Sequence, residues 1–370
     1  MNAIPHSGKS IVVAGCGATG SHAIAHLPRI TGVSRVILVD PDICEEGNLA
    51  GQQIFPDDVD RPKVLVHARR LRRFTHLTVE TWKCRIEDVP LGRLRADAML
   101  SCLDSRAARR YMNQAAWRLG VPLIDCAVSG PDYLARVNAY LPGRGNTCLE
   151  CAWSPQQYAD QETKYPCQKE GPLTAPTRAA SALGGLAASM QILELEIVLS
   201  GRLDEAAVGR QVMVDARYHR LLSTVMPRNP KCRFDHEVWM IRPLDAAPGW
   251  ISLGELFELA GNPVRAALRC EGRAFIGRRC CGNGCSPLEL PARLDDRLLP
   301  RHQRCPECGA ALVSAGFDAM SRLYRRDLGK TALRRPMSSL GFRPGDVVSL
   351  ESPGEATLHV EFASDCCPAG

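Results

Sequence analysis

Short apolar runs and helical patterns alternate along the first part of the chain. The strand patterns are Ser10 to Ala14, Arg35 to Asp40, Leu77 to Lys83, Ala98 to Leu103 and Val121 to Ala127. Helical patterns lie between them, at SHAIAHLPRI after the first strand, at Lys63 to Arg73 and at Arg106 to Leu119. Strands that alternate with helices predict an α/β fold with a doubly wound, mostly parallel sheet. Ligands of such sheets bind at the carboxyl ends of the strands.

The pattern changes beyond residue 131. A longer strand pattern, DYLARVNAYLPG, precedes a loop rich in cysteine, proline and charge and a long helix at about Thr177 to Leu199. Two strand patterns follow, Gln211 to Asp215 and His219 to Val225, and then a linker at Pro243 to Pro248. We therefore expect a first domain at residues 1–245 and a smaller β unit at 246–370, with one amphipathic helix, a cysteine-rich middle and a final strand pair around Asp346 to Phe362.

Composition narrows the class of protein. No apolar run reaches the roughly 18 residues of a membrane span, and the first strand begins too early to leave room for a signal peptide, so we expect a cytoplasmic protein without a membrane partner. The net charge is +6, and the cluster at Arg69, Arg70, Arg72 and Arg73 suits a solvated helix face better than nucleic-acid binding. The 17 cysteines are an odd number, which favours metal and thiol chemistry over a disulfide framework.

Gly15, Gly17 and Gly20 form a GxGxxG turn between the first strand and the first helix. Such a turn presents backbone N–H groups to a phosphate. Asp40 follows Gly20 at the spacing of the Rossmann nicotinamide fingerprint, so an NAD(P)-dependent oxidoreductase fits these four residues.

Further polar residues follow at the same predicted edge of the sheet. They are Asp42, Asn48, Gln52, Lys63, Asp104 and Arg109. Acids, amides and a lysine that converge in this way favour a polyphosphate ligand, and an oxidoreductase leaves Lys63 and Asp104 unexplained.

From Ser10 to about His236 the chain resembles the ThiF/MoeB family and the adenylation domains of ubiquitin-activating enzymes. The resemblance rests on the glycine turn, DPDICEEGNLAGQ, DRPK, the strand-end Asp104 with Arg109 five residues on, a CxxC pair and RNPKC. It implies that ATP and Mg²⁺ are bound and that the C-terminal carboxylate of a ubiquitin-like or sulfur-carrier protein becomes an acyl-adenylate. Asp40 would hold the ribose, Lys63 would contact phosphate and Asp104 would work with Mg²⁺. Family members are commonly homodimers, and a conjugating enzyme is a further potential partner.

One position departs from the family pattern. The arginine of NLxRQ is Gly51 here, so Arg109, Arg106 or a second subunit must supply the cation. The alternatives are that the enzyme is slow, or that adenylation has been lost and the protein is a zinc-stabilised docking protein.

Two groups of cysteines have the spacing of structural Zn²⁺ sites. In the first group, Cys148 and Cys151 form a CxxC pair, and Cys232 with His236 are the nearest candidates to complete it, although histidine departs from the family pattern. The second group is Cys281, Cys285, Cys305 and Cys308, with Cys280 as the alternative to Cys281. The resemblance does not cover this zinc-ribbon unit, for which we expect partner docking.

Cys167 lies in the charged loop QETKYPCQKEGPLTAP, beside Lys164 and Lys169. Nearby cations favour a thiolate. The family resemblance implies that this crossover loop passes over the adenylate and can carry a thioester cysteine, so Cys167 is a candidate nucleophile; an inert thiol or a zinc ligand are the alternatives. The sequence gives no role for Cys366 and Cys367.

Overall fold

The computed structural model describes residues 8–159, 180–314 and 319–364. The chain divides into two units. The larger unit consists of Asn2–Val89 and Leu94–Trp239, and the smaller one of Pro90–Arg93 and Met240–Gly370.

An eight-stranded sheet forms the centre of the larger unit. Its strands are β1 (Lys9–Ala14), β2 (Val33–Val39), β3 (Thr78–Trp82), β4 (Ala98–Ser101), β5 (Leu123–Ser129), β6 (Leu134–Tyr140), β7 (Arg210–Asp215) and β8 (Arg220–Val225). The spatial order is β3-β2-β1-β4-β5-β6-β7-β8; the first five strands are parallel and β6, β7 and β8 are antiparallel. This confirms the Rossmann-like, mostly parallel fold. Because the strand order reverses between β1 and β4, a crevice opens there at the carboxyl ends.

Helices cover this sheet. They are α1 (Gly20–His26), α2 (Lys63–Leu71), α3 (Arg106–Leu119), α4 (Pro155–Ala159) and α5 (Ser181–Leu199). The predicted boundaries of α3 agree with the structure, and those of α2 extend two residues too far at the carboxyl end.

Helix α5 corrects one expectation from the sequence. It has 19 residues and a mean hydropathy of 1.5 in its most apolar window, so by length and composition it resembles a membrane span. In this structure it packs on β5, β6 and α1. Gly184 allows that close contact, because a Cβ at this position would lie 2.3 Å from the carbonyl oxygen of Ala18. In this structure 44% of that apolar window is buried.

The smaller unit contains two antiparallel-rich sheets. The first has the order β15-β10-β16-β17-β9 and the second contains β12-β11-β13, with β14 paired to β11. The strands are β9 (Ile241–Pro243), β10 (Ala267–Arg269), β11 (Phe275–Cys281), β12 (Leu288–Leu294), β13 (Leu312–Val313), β14 (Ala319–Met320), β15 (Leu323–Tyr324), β16 (Val347–Glu351) and β17 (Leu358–Glu361), with helices α6 (Leu253–Phe257) and α7 (Lys330–Leu333). β9 includes the first residue of the predicted linker, because Ile241–Pro243 pairs with β17.

Candidate functional site

The glycine turn lies between β1 and α1 at the crevice. Gly15 has a φ of +89°, and a Cβ there would lie 2.4 Å from the carbonyl oxygen of Cys102. A Cβ on Gly20 would lie 1.8 Å from the carbonyl oxygen of Gly15. At Gly17 the nearest atom would be Nε2 of Gln52, at 3.9 Å. Gly15 and Gly20 are thus required by packing inside the protein, whereas Gly17 leaves room for a ligand to approach the backbone.

Asp40 follows β2 and is held beside the turn. It is only 5% exposed, and its Oδ2 accepts a hydrogen bond from the backbone N–H of Cys16 at 2.6 Å. Its Oδ1 accepts from the N–H of Asp42 at 2.8 Å. Burial raises the pKa of Asp40, against the opposing attraction of Lys63.

Lys63 begins α2 and faces the same acids. Its Nζ donates to Oδ2 of Asp42 at 2.9 Å, and its backbone N–H donates to the carbonyl of Asp42 at 3.0 Å. Burial acts to lower the pKa of Lys63, but the attraction of Asp40 and Asp42 outweighs it and the pKa is raised. Lys63 is therefore a fixed positive charge at the carboxyl ends of the strands.

The loop that carries Asn48 and Gln52 closes one side of the turn. The N–H of Gln52 donates to the carbonyl of Asn48 at 2.9 Å, while Oδ1 of Asn48 accepts from the N–H of Glu45 at 3.1 Å. Within the described part of the chain, Oε1 of Gln52 is buried and has no hydrogen-bond partner. A buried acceptor without a partner is costly. Beside the open Gly17, it suits a site that a ligand with N–H or O–H donors completes.

The end of β4 brings Asp104 and Arg109 to the crevice in different ways. Asp104 is exposed, directly before the residue that caps α3, Ser105. Arg109 is mostly buried, and its Nε donates to the carbonyl of Leu103 at 2.6 Å. Its Nη2 donates to the carbonyl of Cys126 at 3.3 Å. Arg109 thus joins the ends of β4 and β5, and these bonds point inward rather than to a phosphate.

Sequence reasoning missed a buried polar network below Arg109. Asp125 is fully buried on β5 and lies 3.7 Å from Nε of Arg109. It accepts hydrogen bonds from Oγ of Ser101 at 2.8 Å and from Nη1 of Arg136 at 3.1 Å. The available signal was a lone acid inside the apolar run LIDCA, because a buried carboxylate requires partners.

The first cysteine cluster consists of Cys148, Cys151, Cys232 and His236, whose donor atoms all lie within 4.8 Å of one another. Sγ of Cys148 lies 3.8 Å from that of Cys151 and 3.9 Å from that of Cys232. Zn–S bonds of about 2.3 Å in a tetrahedron give sulfur separations of about 3.8 Å, so the spacing fits Zn²⁺.

His236 is oriented for the same role. Its Nε2 lies 3.2 Å from Sγ of Cys151, and its Nδ1 lies 2.8 Å from the carbonyl oxygen of Phe234. A hydrogen on Nδ1 donates to that carbonyl and leaves the Nε2 lone pair for a metal. Trp117 of α3 packs edge-on against this ring at 4.9 Å.

The second cysteine cluster consists of Cys281, Cys285, Cys305 and Cys308, whose sulfur atoms also all lie within 4.8 Å of one another. Cys281 ends β11, and its Sγ lies 3.4 Å from that of Cys308, which is exposed. The backbone N–H of Asn283 donates to Sγ of Cys281 at 3.5 Å. Four sulfur donors suit a structural Zn²⁺ site. Cys167 lies outside the described residues.

The chain is similar to several known proteins. A sequence model of the ThiF family matches residues 4–234. The sulfur carrier protein ThiS adenylyltransferase and the molybdopterin-synthase adenylyltransferase of Escherichia coli strain K12 are each 27% identical over 226 residues, which is 60% of this chain and 84% and 85% of theirs. The structure of E. coli MccB has a TM-score of 0.51 at 21% identity over 64% of this chain and 67% of that chain, a likeness of fold. Because the family match includes most of the chain and every residue of the crevice from Gly15 to Asp125, this protein belongs to the ThiF family.

Proposed function

We propose that the protein uses ATP and Mg²⁺ to adenylate the C-terminal carboxylate of a ubiquitin-like or sulfur-carrier protein. The observation that carries the proposal is the juxtaposition of the open Gly17, the buried Asp40 and the fixed charge of Lys63 at one crevice. Both E. coli relatives are named as adenylyltransferases, one of the sulfur carrier protein ThiS and the other of molybdopterin synthase, and they support this substrate class.

The chemistry explains why these residues are needed. A carboxylate oxygen of the partner protein attacks the α-phosphorus of ATP, the bond to the β-phosphate oxygen breaks, and pyrophosphate leaves. Both reactants are anions, so the protein must position them and neutralise charge. Gly17 allows the phosphates to approach the backbone, Asp40 accepts hydrogen bonds from ribose hydroxyls, and Lys63 contacts phosphate. Mg²⁺, held by Asp104, would supply further positive charge.

Because Gly51 replaces the family arginine, one cation of the site has to come from another residue. Arg109 already donates to the carbonyls of Leu103 and Cys126. We therefore assign Arg109 to bracing the strand ends, and assign the extra cation to Arg106 or to the second subunit of a homodimer.

ATP–pyrophosphate exchange with the partner protein tests the adenylation step. Wild type should exchange, and Lys63→Ala should reduce the rate about 100-fold because one preorganised charge is lost. Lys9→Ala is the matched control, because Lys9 lies at the opposite end of β1 and pairs with Asp97. Wild-type exchange no faster than that of Asp104→Ala would refute adenylation.

Two further measurements define the function around this step. The thioester step rests on the sequence of the Cys167 loop, and it requires a dithiothreitol-sensitive adduct in wild type that is missing in Cys167→Ala. Calorimetry with and without ATP separates an activating enzyme from a docking protein, the alternative that Gly51 suggests. A docking protein would bind its partner equally well in both conditions.

A further inference from the structure

Two arginines share one buried carboxylate below the crevice. Asp125 of β5 is fully buried, and its Oδ1 lies 3.7 Å from Nε of Arg109. Its Oδ2 accepts a hydrogen bond from Nη1 of Arg136 at 3.1 Å. Oγ of Ser101 donates to Oδ1 at 2.8 Å, a contact that adds no charge. Within the described ranges neither arginine forms an ion pair with a second carboxylate, so two positive charges face one negative charge.

The side chain of Arg136 is fixed at one nitrogen and leaves the other two available. Its Nη1 donates to Asp125 and, at 2.5 Å, to Oδ1 of Asn138. Among the residues that the structure describes, Nε and Nη2 of Arg136 have no hydrogen-bond partner, and the side chain is 24% exposed. These two nitrogens form one edge of the guanidinium plane and present two parallel N–H groups. That edge matches the two oxygens of a carboxylate.

Asp215 of β7 is a second acid on the same face of the sheet, but it is engaged elsewhere. Met213 is the register partner of Arg136, and Asp215 lies two residues further along β7. Oδ1 of Asp215 accepts hydrogen bonds from the N–H groups of Arg217 and Tyr218, both at 3.1 Å. In the described part of the chain Asp215 forms no ion pair with Arg136, so it does not balance the excess charge.

The position of Arg136 in the sheet separates it from the residues that we expect to bind phosphate. The strand order β2-β1-β4-β5-β6 places the glycine turn after β1 and Asp104 after β4. Arg136 lies on β6, where it pairs with Ala127 near the carboxyl end of β5. Neighbouring strands are about 4.8 Å apart, so β6 lies about 10 Å beyond β4, on the side away from the glycine turn. A ligand on Arg136 therefore approaches Asp104 from the side opposite to the glycine turn.

We propose that Arg136 binds the C-terminal carboxylate of the polypeptide that the protein activates. The inference rests on the proposed function and assigns a residue to the second substrate of the same crevice. The carboxylate accepts hydrogen bonds from Nε and Nη2, and its charge offsets the excess positive charge of Arg109 and Arg136. This pairing also reduces the repulsion between the carboxylate and the triphosphate, both of which are anions. Each carboxylate oxygen keeps a further lone pair, so the bound group remains able to attack phosphorus.

Titration of the full-length, zinc-loaded protein with N-acetyldiglycine and with its C-terminal amide tests the proposal. Glycine adds no side chain, so the two probes differ only in the charged terminus. Binding is followed by protein NMR at constant ionic strength, with and without Mg²⁺ and the non-reacting analogue α,β-methylene-ATP, which occupies the phosphate-binding residues. Wild type should bind the acid at least about tenfold more tightly than the amide, because the acid makes a charge-assisted bidentate contact.

Variants of two matched arginines locate the effect. Arg136→Gln should bind the acid and the amide equally weakly. Arg35→Gln is the control and should keep the wild-type preference, because Arg35 is similarly exposed, at 28%, but pairs with Glu80 in the amino-terminal half of β2. Arg136→Lys keeps a positive charge beside Asp125 but removes the bidentate edge, so it should fold and lose most of the preference. It supplies the test if thermal unfolding shows that Arg136→Gln does not fold.

Three results would overturn the proposal. They are the lack of saturable, acid-selective binding in wild type, an unchanged preference in the Arg136 variants, and displacement of the acid by the ATP analogue. Displacement would mean that the acid occupies the phosphate-binding residues. Pyrophosphate exchange distinguishes this inference from the proposed function. Selective binding of the acid without exchange would reject adenylation and leave the carboxylate site, whereas exchange without selective binding would reject the site alone.

Discussion

Individual residues of the glycine turn have separate roles that the GxGxxG pattern does not distinguish. Gly15 needs its positive φ, and Gly20 touches the backbone of Gly15, so both serve the fold. Gly17 has free space around its Cα. Folding and nucleotide binding can therefore be separated within one turn.

Alanine substitutions at two of these glycines should have opposite consequences. Gly20→Ala should lower the free energy of unfolding by about 3 kcal/mol or more, because its Cβ would overlap the carbonyl of Gly15. Gly17→Ala should change stability by less than about 1 kcal/mol but weaken ATP binding at least about tenfold, since the methyl group occupies the space for phosphate. Urea unfolding and calorimetric titration with ATP measure the two effects. Wild-type ATP affinity in Gly17→Ala would contradict this assignment.

His67 of α2 should make stability depend on pH. It is 2% exposed, and burial, assisted by the charge of Arg70, lowers its pKa from 6.5 to about 4. The folded protein therefore keeps His67 neutral while the unfolded chain takes up a proton below about pH 6.5. Between pH 7 and pH 5 this residue should reduce the free energy of unfolding by about 2 kcal/mol.

Urea unfolding of wild type and His67→Gln at both pH values isolates this contribution. The pH-dependent loss should be about 2 kcal/mol smaller in His67→Gln. His76→Gln, at an exposed histidine, should behave like wild type. Equal pH dependence in all three proteins would show that His67 is protonated alike in both states.

At the residue scale, the sequence does not determine which hydrogen-bond partners the polar side chains of the crevice have. The spacing of Asp104 and Arg109 predicts that both approach the crevice. It does not reveal that Arg109 turns to the carbonyls of Leu103 and Cys126, since these bonds depend on how β4 and β5 meet. Asp125 was missed for the same reason: its partners Ser101 and Arg136 come from the neighbouring strands β4 and β6.

At the scale of elements, local patterns predict the sheet well and its exceptions poorly. The parallel strands β1, β2, β4 and β5 follow mostly apolar runs, which buried parallel strands require. The edge strand β3 instead has the alternating sequence TVETW and is only partly buried. By contrast, Ile241–Pro243 has no such run and becomes β9 only because β17 offers it a partner. The packing of α5 likewise depends on tertiary context, because Gly184 lets the helix approach Ala18 of the glycine turn closely.

Helix α1 connects two elements of the crevice through His22. Nδ1 of His22 lies 3.2 Å from Nε2 of Gln53, and its Nε2 lies 3.2 Å from Oγ of Ser181 at the start of α5. Ser21 adds a hydrogen bond, in which its Oγ accepts from the N–H of Gln53 at 3.0 Å. His22 thus holds the loop of Asn48 and Gln52 against the turn.

His22→Ala should loosen this loop without unfolding the protein. Each lost hydrogen bond contributes about 1 kcal/mol, so amide hydrogen exchange of residues 48–53 and of the first turn of α5 should become faster. The KM for ATP should rise severalfold. His26→Ala, at an exposed histidine of the same helix, is the matched control. Unchanged exchange in His22→Ala would mean that Ser21 alone holds the loop.

At the scale of the whole molecule, each unit contains one four-donor cysteine cluster among the residues that the structure describes, and the two clusters differ in burial. In the first cluster, Cys148 is 1% and Cys151 8% exposed, and Trp117 packs beside them. In the second cluster, Cys308 is exposed. The first cluster is also tied to α3, because Oδ1 of Asn113 accepts a hydrogen bond from the N–H of Leu149 at 3.1 Å. Because α3 begins beside Asp104, we expect the first cluster to stabilise the crevice. The second cluster lies in the smaller unit, apart from the crevice residues of the larger unit.

Metal removal should therefore proceed in two stages with different effects on activity. We expect about two Zn²⁺ per chain by mass spectrometry of the metal, a number that follows from two four-donor clusters. A chelator should remove the second cluster's ion first, because exposed Cys308 can be attacked directly, whereas the first cluster must open locally.

Cys308→Ser should lose one ion and keep pyrophosphate exchange within about twofold. Cys232→Ser should also lose one ion, and it should lose most of the exchange activity as well, because α3 is no longer anchored by the first cluster. If both variants kept full zinc content, or if Cys308→Ser alone abolished exchange, the division of labour between the two clusters would be wrong.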